Sequence, residues 1–268
     1  MTSRNNKVYG SVFVILFFIL ISSIVVFKKD KILGVNSSKE SVINADIINK
    51  DEKSSENNKE GSQKEDLDKL LSIKDNPLMI LVNRENSLSN DYVPSDLILS
   101  DIEFVEYIET RYLSEETAEA TKRMFDAAKE DGITLLGASG YRSYQVQEDL
   151  YNSRVDNEGQ EEADKYTAKP GQSEHQTGLA IDILSEDYPM MDDDFDTTEA
   201  YKWLNENCYK YGFILRYPKG KESITGFFYE PWHYRYIGDE EVAKYIMDKG
   251  LTFEEYIEEI DNKIAEYR

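Results

Sequence analysis

What most limits how this chain can fold is the partition of apolar residues along it. The stretch from Val8 to Phe27 carries no charge and is long enough to cross a bilayer as a helix, and within it Val12 to Phe27 is almost purely apolar. Arg4 and Lys7 precede the run, and Lys28 and Lys29 close it. No small-residue exit site separates Ile24-Val25-Val26-Phe27 from those lysines, so residues 1–29 read as an uncleaved signal anchor with a short stub. The lone cysteine, Cys208, is far away, which excludes lipid attachment here. Residues 30–76 are polar, charged and poor in aromatics, as in Ser54-Ser55-Glu56-Asn57-Asn58, and read as a disordered tether. A short amphipathic helix around Leu67 to Ile73 fits within it. The packed core is therefore expected in residues 77–268, which hold most of the 19 Tyr and 11 Phe and open with Leu78 to Val82.

Within that part the pattern predicts mixed elements. Ser114 is a fit N-cap for a helix running through Ala118, Met124, Phe125 and Ala128 to Gly132. Strands are expected at Ile133–Ala138, Leu179–Leu184 and Gly212–Tyr217, with helices at Tyr144–Ser153 and Thr197–Tyr211. Phe227–Tyr236 reads as a strand interrupted by Pro231, and two acidic helices follow from about Asp239 and Thr252. No repeat of solenoid length is present. Helices and strands mix without regular alternation, which points to an α+β fold with an antiparallel sheet.

The formal net charge of -22 repels phosphate backbones, and no basic patch offsets it, so nucleic acid is excluded as a partner. The charge reads as a solubility device. One cysteine rules out an internal disulfide, and its neighbours Trp203, Leu204 and Tyr211 suggest a buried thiol. Asp192-Asp193-Asp194 lacks a calcium-loop pattern and reads as solvated.

Only two histidines occur, and each sits in a dense motif. The first is Ser173-Glu174-His175-Gln176-Thr177-Gly178-Leu179-Ala180-Ile181-Asp182, the second Glu230-Pro231-Trp232-His233-Tyr234-Arg235-Tyr236. On a strand, Asp182 alternates with Ile181 and Ile183 and points away from them. Gly178 permits a bend that lets the imidazole of His175 converge with that carboxylate. His233 would complete His-Asp-His, three ligands with a position left open, as catalytic zinc requires. Glu230 could stand beside the open position as a proton acceptor. Taken singly, either histidine reads as an ordinary polar core residue; it is their joint occurrence in complementary motifs that points to a metal.

These motifs, with Ser139-Gly140-Tyr141-Arg142-Ser143-Tyr144 upstream, resemble the signature of VanY-type D-alanyl-D-alanine carboxypeptidases. That family belongs to the zinc peptidase group that includes the lysostaphin-like enzymes and the hedgehog zinc domain. The resemblance spans roughly Met79 to Gly238. It implies a small antiparallel sheet carrying one zinc ion held by His175, Asp182 and His233, with Glu230 as general base and acid. It implies that Arg142 steadies the substrate carbonyl, a task suited to a permanently charged fork of donors. Gln147 and Ser173 match positions that contact the peptide. Trp203, Trp232, Tyr234 and Tyr236 read as packing residues.

The activity so implied is removal of a C-terminal D-alanine from peptidoglycan stem peptides. The domain would be extracytoplasmic, held by a single-pass anchor in the cell membrane, with no obligate protein partner. Its N-terminus is placed inside by the location of that substrate. The alternatives are an L,D-carboxypeptidase acting on tetrapeptide stems, an endopeptidase cutting cross-links, and a non-catalytic wall-binding module with structural zinc. Retention of Glu230 argues against the last.

Overall fold

The computed structural model describes residues 59–106 and 108–267. The expected anchor at 1–29 lies outside them, and no helix among the described residues is long and apolar enough to cross a membrane.

A four-stranded antiparallel sheet organises the domain, in the order β3 (Leu135–Ser139), β4 (Ala180–Ser185), β6 (His233–Tyr236), β5 (Phe213–Leu215). Its register sorts the side chains. Ile181 pairs with Tyr234, and Tyr234 with Leu215, so these three share one face. They are buried with Ile183, Phe213 and Tyr236 against the helix α2 (Glu115–Glu130) and Trp203 of α5 (Glu199–Asn207). The opposite face carries Asp182 paired with His233, and Ala180 paired with Arg235, which in turn pairs with Ile214. A strand alternates faces at every residue, so this pairing alone sets a carboxylate beside an imidazole.

Local sequence explains the flanking elements. Helix α2 buries Ala118, Thr121, Phe125 and Ala128, spaced three and four apart, and carries Glu115 and Glu116 in its first turn. Helix α3 spans Tyr144–Glu158 and begins where Ser143 accepts from the Val146 N–H; α4 (Gln160–Tyr166) follows it. The turn helix α6 is Glu222–Thr225. Helix α7 (Glu240–Lys249) is capped by Asp239, and α8 (Phe253–Glu266) by Thr252 with Glu255 in a reciprocal capping box. A second sheet is the two-stranded ribbon of β1 (Leu97–Leu99) with β2 (Tyr112–Ser114), whose Tyr112 carbonyl accepts from the Tyr141 N–H just after β3.

Two expectations are corrected. The short helix expected around Leu67 to Ile73 within the tether is present but longer, as α1, Lys59–Lys74, and it is packed, its Leu70 being 1% exposed. It packs with Tyr256, Ile260 and Ile264 of α8, and Lys74 pairs with Asp261. Leu67, Leu70 and Leu71 fall on one helix face, and the long C-terminal helix gives that face a place to bury. The folded part therefore includes α1 and does not start at Pro77. Second, Phe227–Tyr236 is not one strand. Glu230 to His233 form a turn closed by the His233 N–H on the Glu230 carbonyl, with Pro231 at the position where its fixed φ suits a turn, and only His233–Tyr236 is strand.

Candidate metal centre

Three elements deliver the donors. Asp182 comes from β4, and His233 from the paired position on β6. His175 comes from a short 3-10 turn, Glu174–Thr177, that precedes β4. Gly178 ends this turn at φ +70, and a Cβ there would lie 3.0 Å from the Ser114 backbone nitrogen. At Gly140 a Cβ would lie 2.5 Å from the Tyr112 carbonyl oxygen. The close approach this glycine allows carries its own carbonyl to 2.8 Å from His175 Nδ1.

That contact fixes the tautomer. A carbonyl only accepts, so Nδ1 carries the proton and the lone pair of Nε2 faces inward. His175 Nε2 lies 3.3 Å from Asp182 Oδ2, and His233 Nδ1 lies 3.1 Å from Asp182 Oδ1. His175 Nε2 and Asp182 Oδ1 are buried and make no hydrogen bond. The ligand atoms of the three residues lie within 4.8 Å of one another. Imidazole and carboxylate lone pairs brought this close repel unless a proton or a metal ion lies between them. Atoms bound to tetrahedral zinc at about 2.0–2.1 Å sit about 3.3 Å apart, so this donor set fits zinc.

The charges agree. Burial, helped by the neighbouring Arg142 guanidinium, pushes the His175 imidazole down to about 4, so it stays neutral and free to ligate. Burial would also push His233 down, but the carboxylates of Asp182, Glu174 and Glu230 outweigh it and lift His233 to about 9. Asp182 is buried, yet the two imidazoles hold it well below the ordinary carboxylate range. A proton on His233 thus takes the place that a metal ion would fill.

Glu230 lies beside this cluster, its Oε2 3.6 Å from His233 Nδ1 and its side chain 19% exposed. Burial, with the charge of Asp182 adding to it, raises the Glu230 carboxyl to about 7 against the pull of His233 and Arg142. A divalent ion on the three donors would draw it back down. Arg142 also borders the cluster, its Nη2 3.8 Å from Asp182 Oδ2. The arrangement sets a proton acceptor and a fixed cationic donor on a three-ligand metal centre, which is a constellation for hydrolysis.

A family model described as D-alanyl-D-alanine carboxypeptidase, VanY, matches residues 110–239. The chain is 48% identical over 186 residues to YodJ of Bacillus subtilis (strain 168), named as a carboxypeptidase, covering 68% of each chain. The chain belongs to the VanY family. Among solved structures, the LdcB LD-carboxypeptidase is 48% identical with a TM-score of 0.64, covering 69% of this chain and 88% of that one. The vancomycin-resistance D,D-pentapeptidase VanY, solved as a mutant with Zn(II), is 35% identical with a TM-score of 0.55, covering 68% of this chain and 99% of that one.

The VanY motifs thus bring His175, Asp182, His233, Glu230 and Arg142 into one cluster. Gln147 stands behind Arg142: its Oε1 accepts from Arg142 Nη1 at 2.9 Å and its Nε2 donates to the Ala168 carbonyl at 2.7 Å. Both ends of a buried Gln147 are taken by protein, so it holds the guanidinium in place. Ser173 is buried at the start of the turn that carries His175. Sequence reasoning missed Glu174, Arg216 and Arg235, all fully buried around His233. The signal for the arginines was their place inside the strand-like runs Ile214-Leu215-Arg216-Tyr217 and Tyr234-Arg235-Tyr236.

Proposed function

We propose that this VanY-family chain is a zinc carboxypeptidase that removes the C-terminal D-alanine from peptidoglycan stem peptides, using one ion held by His175, Asp182 and His233. The observation that carries the reading is the convergence of the buried ligand atoms of these three residues beside Glu230. Zinc, when bound there, supplies Lewis-acid polarisation and a water acidic enough to react near neutral pH. Glu230 takes the proton of the attacking water on its carboxylate. It returns that proton to the amine as the carbon–nitrogen bond breaks and free D-alanine leaves. Arg142, braced by Gln147, donates to the carbonyl oxygen as negative charge grows on it. Ser173 is assigned to peptide contact on its motif position.

A second reading, L,D-carboxypeptidase action on tetrapeptide stems, is favoured by the 48% identity to LdcB. The two differ in the residue before the cut and share all the machinery above. The run Val8 to Phe27 supports a further proposal, that a single-pass anchor holds the domain outside the cell membrane, near its substrate.

The test is incubation with defined pentapeptide and tetrapeptide stems, with the released fragment identified by mass spectrometry. D-alanine from the pentapeptide supports the D,D reading, and release from the tetrapeptide alone transfers the assignment to the L,D one. Glu230→Ala should lower turnover by about 10²–10⁴-fold. Full activity in that variant ends the mechanism.

A further inference from the structure

His233 offers Nδ1 to the metal cluster, and its other nitrogen points elsewhere. Nε2 is buried, makes no close hydrogen bond, and lies 3.6 Å from Glu174 Oε2, itself buried and without one. The remaining oxygen of Glu174 is fully engaged. Its Oε1 accepts from Arg216 Nε at 2.8 Å and from Arg235 Nη1 at 2.7 Å. Neither guanidinium can follow Glu174 if it turns. Arg216 grips Glu254 of α8 with two parallel bonds of 2.8 and 2.6 Å. Arg235 donates to the carbonyls of Leu78 and Ile80 at 2.8 Å each and to that of Tyr236 at 3.0 Å.

We infer that Glu174 is a positioning residue for His233, and that the C-terminal helix α8 braces the metal centre through it, along Glu254, Arg216, Glu174 and His233. This rests on the reading that His175, Asp182 and His233 hold zinc. A metal-ligating imidazole gains from a carboxylate on its second N–H, which fixes the tautomer and the ring plane. Glu174 supplies that carboxylate, and the two arginines leave one of its oxygens free for the task. In charge the four groups balance, two guanidiniums against two carboxylates, so a purely structural cluster would be complete without His233. What such a cluster leaves unexplained is the orphaned Oε2 facing an orphaned Nε2. Glu254 lies beyond residues 110–239, so the brace comes from a helix outside the part that matches the VanY model.

The test uses the full chain in detergent, with zinc affinity measured by competition against a chelating indicator, together with the imidazole long-range proton–nitrogen spectrum of the zinc-loaded protein. Two histidines give two ring systems, so assignment is direct. The parent should show one ring, His233, ligated through Nδ1 and protonated at Nε2. Glu174→Gln should weaken zinc by about 10–100-fold, and Glu254→Gln by less in the same direction. Glu254 has the only partly exposed side chain of the four, at 13%, so E254Q carries the test should E174Q fail to fold. Zinc affinity unchanged from the parent in the folded variants, or His233 ligated through Nε2, overturns this inference alone. A parent that takes up no zinc overturns the metal-centre reading and this inference with it.

Discussion

Leu70→Ala tests whether α1 belongs to the folded domain. Leu70 is 1% exposed and sits in a cluster with Tyr256, Ile260 and Ile264 of α8 and Ile246 of α7. The substitution removes three carbons from this contact, a transfer loss of about 2.4 kcal/mol at roughly 0.8 per methylene. A residual cavity adds to it, while a helix held largely from one side can relax inward, so the expected cost is about 3 kcal/mol. For a domain of this size that lowers Tm by about 6–12 °C. The assay is urea and thermal unfolding followed by circular dichroism, with Glu65→Ala as control. Glu65 lies on the same helix with a side chain 72% exposed, and its loss should stay within about 0.5 kcal/mol of the parent. If Leu70→Ala is as mild as Glu65→Ala, residues 59–74 are not packed as described and the tether runs to Pro77 after all.

Gly178→Ala should lose about 1–2 kcal/mol of stability from its left-handed backbone alone. Because the new methyl crowds the Ser114 nitrogen, it should also weaken zinc uptake by displacing His175, which a metal titration checks. Burial pushes the Cys208 thiol up to about 12, so the folded protein should resist iodoacetamide at pH 8 and react fully once unfolded in urea. Chelation should abolish peptide hydrolysis and added zinc should restore it; hydrolysis that survives metal removal would point to other machinery.

The centre was legible in sequence because its parts are local or bound by strand periodicity. Asp182 alternates with two isoleucines, and His233 follows a proline turn, so both fall on the face opposite the core once β4 and β6 pair. His175 needs only the bend at Gly178. Elements with caps were also legible: Asp239 and Thr252 start α7 and α8 as their side chains dictate. The second half of α1 was legible as a short amphipathic helix around Leu67 to Ile73; its first half was hidden because it carries no apolar residues, and its burial depends on α8, almost two hundred residues later in the chain by the span of Lys74 to Asp261. Glu174, Arg216 and Arg235 were hidden for a related reason. A charged side chain reads as solvated until its buried counter-charges are known, and those come from four separate segments. Gln147 matched a peptide-contact position by motif, but only the fold shows that Arg142 and Ala168 occupy both of its ends.

Metal analysis and X-ray absorption at the zinc edge on the purified chain decide whether one zinc ion sits on His175, Asp182 and His233. The expected result is one zinc per chain, with two imidazoles in a shell of nitrogen and oxygen at about 2.0–2.1 Å, and loss of that ion in Asp182→Ala and His233→Ala. A chain that carries no zinc, or one that keeps it undiminished in both variants, would show that these three side chains do not hold the ion.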